Sequence, residues 1–129
     1  MKPIRASMLL ALVIAGSTSS ATLGAGELDS KMKQLAATSG CFTCHSIEPR
    51  KPDPDGTRPI GPSWQEVSAK YKGQVGAAAQ LTNTVMQGSN PYNSHWQGKA
   101  SGLAMPPNAV AIKESDAKLL IDWILALNK

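Results

Sequence analysis

Cys41-Phe42-Thr43-Cys44-His45 is the stretch on which the reading of this 129-residue chain turns. Cys-x-x-Cys-His is the attachment pattern of a c-type haem. The two thiols add across the vinyl groups of the macrocycle, and the adjacent histidine is placed to bind the iron on its proximal side. Residues three apart lie on one helical face, so both sulfurs reach one ring. The chain has only these two cysteines. A disulfide between them would close a tiny loop and constrain little. A thioredoxin-like dithiol would want a βαβ setting, which is absent. A zinc site would need four ligands, and His95 is the only other histidine. The pattern therefore predicts one covalent haem c on Cys41 and Cys44, with His45 on the metal.

Upstream, Lys2 and Arg5 precede a short apolar run over residues 8–16, followed by small residues including Ser19 and Ala21. This is the form of a secretory signal peptide. Cleavage is expected after Ala21, with Ala25 as the alternative, which divides the chain into a signal at 1–21 and one domain at 22–129. The run falls short of the ~20 apolar residues that span a bilayer, and no other stretch could span. The sequence thus predicts an exported, periplasmic protein without stable membrane insertion. Without Lys2 and Arg5, 11 basic residues face 9 acidic ones, a net charge of +2. That field is too weak to argue for nucleic acid or an anionic membrane. A domain this small has a marginal core, and the whole sequence holds only six aromatic residues. A covalently held porphyrin would add the missing apolar mass.

Periodicity predicts an all-α domain of four helices with long loops. The first covers about 28–39, with Leu28, Met32, Leu35 and Ala36 on one face. The second covers 63–71, with Ser63 as N-cap. The third covers 75–87, burying Val75, Ala78, Leu81 or Thr82, and Val85, and stops at Gly88. The last covers 115–127, with Ala117, Leu120, Ile121, Trp123, Ile124 and Leu127 as a wide apolar face. Between helices, Pro49, Pro52, Pro54, Pro59 and Pro62 exclude regular structure. Residues 88–112 form a second long loop, which is uncommon in a compact domain unless functional. Packing against a flat haem face would account for it.

An iron held by one histidine needs a second axial ligand or stays open. The candidates are Met32, Met86, Met105 and His95. Met32 and Met86 fall on helical faces where packing is the usual role of a thioether. Met105 lies in the long loop before Pro106 and Pro107, which stiffen the backbone that presents it. Met105 is therefore the expected distal ligand, an established haem arrangement. His95 is expected to face solvent beside Trp96.

The 41–45 motif, Gly61-Pro62, residues 64–76, Met105-Pro106-Pro107-Asn108-Ala109-Val110 and the closing Trp123 helix together resemble a bacterial class I cytochrome c, most similar to the small c-551/c-552 type. The resemblance covers nearly the whole mature chain, with the motifs in family order. It implies that the helices wrap one covalently attached haem, that Pro62 offers its carbonyl to the free nitrogen of His45, and that the Trp96 indole reaches a haem propionate. It also implies that the first and last helices cross, with Trp123 against Leu35 or Ala36. The chain departs from the pattern in a longer proline loop (49–60), in extra residues around 91–94 and 99–104, and in Thr84, where relatives often carry arginine.

With both axial positions filled by protein, substrate chemistry at the iron is blocked and electron transfer remains. The expected role is therefore a mono-haem carrier, not an enzyme, shuttling single electrons between donor and acceptor oxidoreductases as a monomer or weak oligomer. The alternative is a dedicated electron-accepting subunit of a periplasmic dehydrogenase, with the extra loops 49–60 and 90–104 building its interface. A peroxidase or gas sensor would require Met105 to be off the iron.

Overall fold

The computed structural model describes residues 24–128, so the expected signal segment lies outside the described residues. Four helices follow in order: α1 (Ala25–Thr38), α2 (Trp64–Tyr71), α3 (Ala77–Gln87) and α4 (Glu114–Leu125). Two short 3-10 turns, Cys41–Thr43 and Pro91–Asn93, punctuate the loops. Among the described residues there is no strand, and the all-α expectation stands.

Met32 and Ala36 are buried one turn apart on α1, with Leu35 partly buried beside them. Leu28, expected on the same face, is exposed, because the packed part of the helix begins only at Met32. The helix ends where Gly40 turns left-handed (φ 74°). That conformation costs glycine little, and it delivers the chain directly into Cys41.

Ser63 caps α2 as expected. Its hydroxyl accepts the Glu66 amide (3.3 Å) while the Glu66 carboxylate accepts the Ser63 amide (3.0 Å). This reciprocal box satisfies two orphan donors, and such a cap contributes about 1 kcal/mol. Trp64, Val67, Ser68 and Tyr71 then fall inside at helical spacing.

Helix α3 starts two residues later than its periodicity suggested. Gly73 (φ 74°) and Gly76 (φ 82°) are both left-handed, so the chain turns twice before the helix begins. Val75 lies between them and is fully exposed, contrary to its expected burial. Thr82 and Val85 face the core as expected, Ala77 does so in place of Val75, and Ala78 and Leu81 are only partly buried; the Thr82 hydroxyl donates to the Ala78 carbonyl within the same helix (2.8 Å).

Helix α4 buries Ala117, Leu120, Ile121, Trp123 and Ile124. Leu127, expected on this face, lies beyond the helix end and is half-buried. α4 packs against α1, α2 and α3 alike, which makes it the centre of the core. Trp123 meets Trp64 edge-on, with ring centroids 5.7 Å apart. Polar ties join α2 to the C-terminal end: Ser68 Oγ donates to Leu125 O (3.1 Å), and Asn128 Nδ2 donates to Gln65 O (2.6 Å). No helix of the described residues is long and apolar enough to cross a membrane.

Candidate haem site

The 3-10 turn at Cys41–Thr43 sets both motif thiols, unpaired and half-buried, on the wall of a cleft of ≈ 390 Å³. That volume lies within the ~300–1,000 Å³ usual for cofactor pockets. Burial pushes the Cys41 thiol above its ordinary value; its own backbone amide opposes this, and Cys44 adds to it.

Three backbone bonds then fold the chain after His45 onto the motif. Gly61 N donates to Cys44 O (2.9 Å), Trp64 N to Ser46 O (2.9 Å) and Gln65 N to Ile47 O (3.0 Å). They bring Pro62 O to 2.7 Å from His45 Nδ1. The Nδ1–H donates to that carbonyl, which fixes the tautomer and leaves the Nε2 lone pair for a metal. Burial lowers the His45 pKa, against an opposing effect of the Pro62 bond. Below-normal basicity keeps the ring neutral, the form that binds metal.

Gly61 is required here for space. A Cβ would stand 2.8 Å from His45 Cε1 and 2.9 Å from Nδ1. Gly61→Ala is expected to push the imidazole off the Pro62 carbonyl, an overpacking cost of about 1–3 kcal/mol. For a domain of this size that lowers the melting temperature by roughly 5–15 °C. Calorimetry on the haem-loaded variant checks it; an unchanged transition would show that the ring is not held against this wall.

Met105 enters the same cleft from the long loop. Its amide donates to Ser89 Oγ (2.8 Å), and Ser89 N donates to Met105 O (2.9 Å). Gly88 (φ 81°) lies directly beneath, where a Cβ would be 2.9 Å from Met105 O. Downstream, Asn108 N donates to Val85 O (3.0 Å), and Ile112, unremarked in the sequence reading, turns into the core. Met32 is buried in the core and Met86 lines a separate groove between α3 and α4; neither lines the cleft.

His95 is exposed, as expected, but its Nδ1 is engaged at 2.6 Å by the Tyr71 hydroxyl, which the loop reading missed. Burial raises the Tyr71 pKa, so the phenol stays neutral. One residue along each segment, Lys70 Nζ stands 5.4 Å from the Trp96 ring centroid. The last turn of α2 thus grips the loop at two successive residues, and both His95 and Trp96 line the cleft. Thr84 also lines it, its hydroxyl donating to Gln80 O of its own helix (3.1 Å).

The two unusually long loops meet at the cleft mouth. Ser101 N donates to Pro59 O and Gly102 N to Ile60 O, each at 2.9 Å. Gly102 leaves no room for a side chain, since a Cβ would be 2.6 Å from Ile60 O. No local pattern announced this pairing, because carbonyls of a proline-rich segment carry no periodic signal.

Trp64, Val67, Leu81, Val85, Ile121 and Ile124 give the cleft an apolar lining. The described residues contain no cluster of three His, Cys, Asp or Glu side chains able to hold a metal alone. Two thiols, one neutral imidazole and an apolar slot instead fit a metal that arrives inside its own macrocycle. A family model described as Cytochrome c matches residues 30–128. The chain belongs to the cytochrome c family.

This cytochrome is 41% identical over 93 residues to cytochrome c2 of Rubrivivax gelatinosus, covering 71% of this chain and 92% of that one. It is 35% identical over 92 residues to cytochrome c-551 of Pseudomonas aeruginosa, covering 71% and 72%. The crystal structure of Nitrosomonas europaea cytochrome c552 superposes with a TM-score of 0.56 at 33% identity, covering 74% of this chain and 99% of that one. The cytochrome is thus a small class I member carrying one covalent haem c with its iron, and it transfers electrons; it is not an enzyme.

Proposed function

We propose that this cytochrome shuttles single electrons between periplasmic oxidoreductases through an iron held by His45 Nε2 and the Met105 sulfur. One observation supports the ligand pair above the rest: among the described methionines only Met105 lines the cleft that also holds Cys41, Cys44 and His45. When bound, the haem supplies the Fe(II)/Fe(III) couple, whose potential depends on axial ligand, hydrogen bonding and burial. The protein's part is to fill both axial positions and keep them rigid. Pro62 orients the imidazole. The Trp96 indole, steadied by Lys70, offers a donor to a propionate. Export through residues 1–21 would place the protein in the periplasm, where thioether attachment can occur on the emerging chain. Partners would dock briefly at the cleft mouth, in the small interfaces (<1,200 Å²) typical of redox encounters.

The ferric protein is expected to show the near-infrared sulfur-to-iron band of His/Met ligation. Its absence, with a low potential, would shift the sixth position to His95 and overturn the pair.

The mutual bonding of loops 49–60 and 90–104 favours a second reading, a dedicated subunit of a periplasmic dehydrogenase. A built, braced mouth suits a permanent partner. Co-purification as a lasting complex would favour the subunit; elution as a free monomer would favour the shuttle.

A further inference from the structure

Ser89 and Met105 stand at the two feet of a fifteen-residue excursion, residues 90–104. The pair exchanges two hydrogen bonds, one from the Ser89 amide to Met105 O and one from the Met105 amide to Ser89 Oγ. Compact surface loops of ~6–16 residues with their ends drawn together are a recurrent form, and here the clasp that closes the loop is the backbone of the proposed ligand itself. On the downstream side Asn108 N anchors to Val85 O (3.0 Å), so Met105 is tied to the end of α3 both before and after.

We propose that Ser89 is a positioning residue for the sixth ligand: its hydroxyl closes the base of loop 90–104 and so decides how firmly Met105 competes for the iron. The inference rests on Met105 being that ligand. A thioether is a weak, neutral donor, and it stays bound only if its backbone has nowhere else to go. A competing ligand must release the sulfur and disturb the clasp together. The Ser89 hydroxyl is the hydrogen-bond partner of the amide of Met105, a half-buried residue. Removing it leaves that donor unmatched in the ligated state and free to find water in the displaced state. The clasp also explains how this chain carries extra residues in the loop. Their conformational freedom is confined above the clasp, since lengthening a closed loop costs only about 0.6 kcal/mol per doubling, and the sulfur below it is unaffected.

The test is imidazole titration of the ferric, haem-loaded protein, read by loss of the near-infrared sulfur-to-iron band. Ser89→Ala is expected to bind imidazole about tenfold more tightly than the parent, the lower end of the scale for one unmatched donor. Ser101→Ala removes a hydroxyl of the same loop that takes no part in the clasp, since Ser101 Oγ reaches Pro59 O (3.3 Å), and is expected to leave the affinity unchanged. Equal affinity for Ser89→Ala and parent overturns the inference, as does an equal rise in both variants, which would mean general loosening of the loop. Met105→Ala separates the two levels. If it binds imidazole no better than the parent, the ligand reading has failed. If it binds strongly while Ser89→Ala matches the parent, only the role of Ser89 has failed.

Discussion

Met105→Ala is expected to keep its haem, lose its sulfur ligand and become a cyanide-binding protein of lower potential. Covalent attachment is expected at Cys41 and Cys44, whose turn is set by α1 and Gly40 and not by the distal loop. Among the described residues the cleft offers no second thioether, since Met32 and Met86 do not line it. His95 does line it, but it is an exposed loop residue whose ring is held in place by the Tyr71 hydroxyl, 2.6 Å from its Nδ1. Axial-ligand identity spreads haem potentials over ~0.8 V, and methionine raises them relative to nitrogen or water. Exchange of the thioether for water is therefore expected to lower the midpoint by about 100 mV or more. A redox titration and a cyanide difference spectrum check both parts. A variant that keeps the parent potential and still excludes cyanide would remove Met105 from the iron.

The second large effect concerns the fold. Cys41→Ala combined with Cys44→Ala is expected to abolish covalent haem and leave a largely unfolded chain. The cleft of ≈ 390 Å³ is bounded by Trp64, Leu81, Val85 and Ile121, residues that also form or flank the core. Empty cavities cost ~24 cal/mol per Å³, so losing the macrocycle corresponds to at most roughly 9 kcal/mol, an upper bound because the cleft opens to solvent. Small domains hold only ~5–15 kcal/mol in total. The filler is therefore comparable to the whole stability. Mass spectrometry should show no prosthetic adduct, and far-ultraviolet circular dichroism should show little helix. A variant with native helix content would mean that α1–α4 close on their own.

What the sequence disclosed and what it withheld divide along local and non-local lines. The motif, the Ser63 cap and the Gly88 stop each act through neighbours within four residues, and each stands where expected. The apolar stripe of α4 was equally legible from Ala117 to Ile124. Val75 misled because it continues the helical period of α3, while two left-handed glycines on either side set the true start. Leu28 and Leu127 misled because period identifies a face without saying how far along a helix that face is covered. The resemblance supplied Pro62 beside His45, and the 2.7 Å bond puts it there. The contacts between Tyr71 and His95, Ser89 and Met105, and Ser101 and Pro59 join residues 16 to 42 positions apart. Serine and tyrosine hydroxyls have many possible mates along a chain, so composition alone gave no reason to pair these.

The central place of α4 governs the order of events during synthesis. Its last helical residue, Leu125, is made 81 residues after Cys44. At about 5–20 residues per second, that interval lasts roughly 4–16 s. Throughout it α1, α2 and α3 lack the surface they pack upon. Both motif cysteines are thus on the chain well before its core can form, so a macrocycle captured at Cys41 and Cys44 would already be in place when the final helix arrives to close upon it.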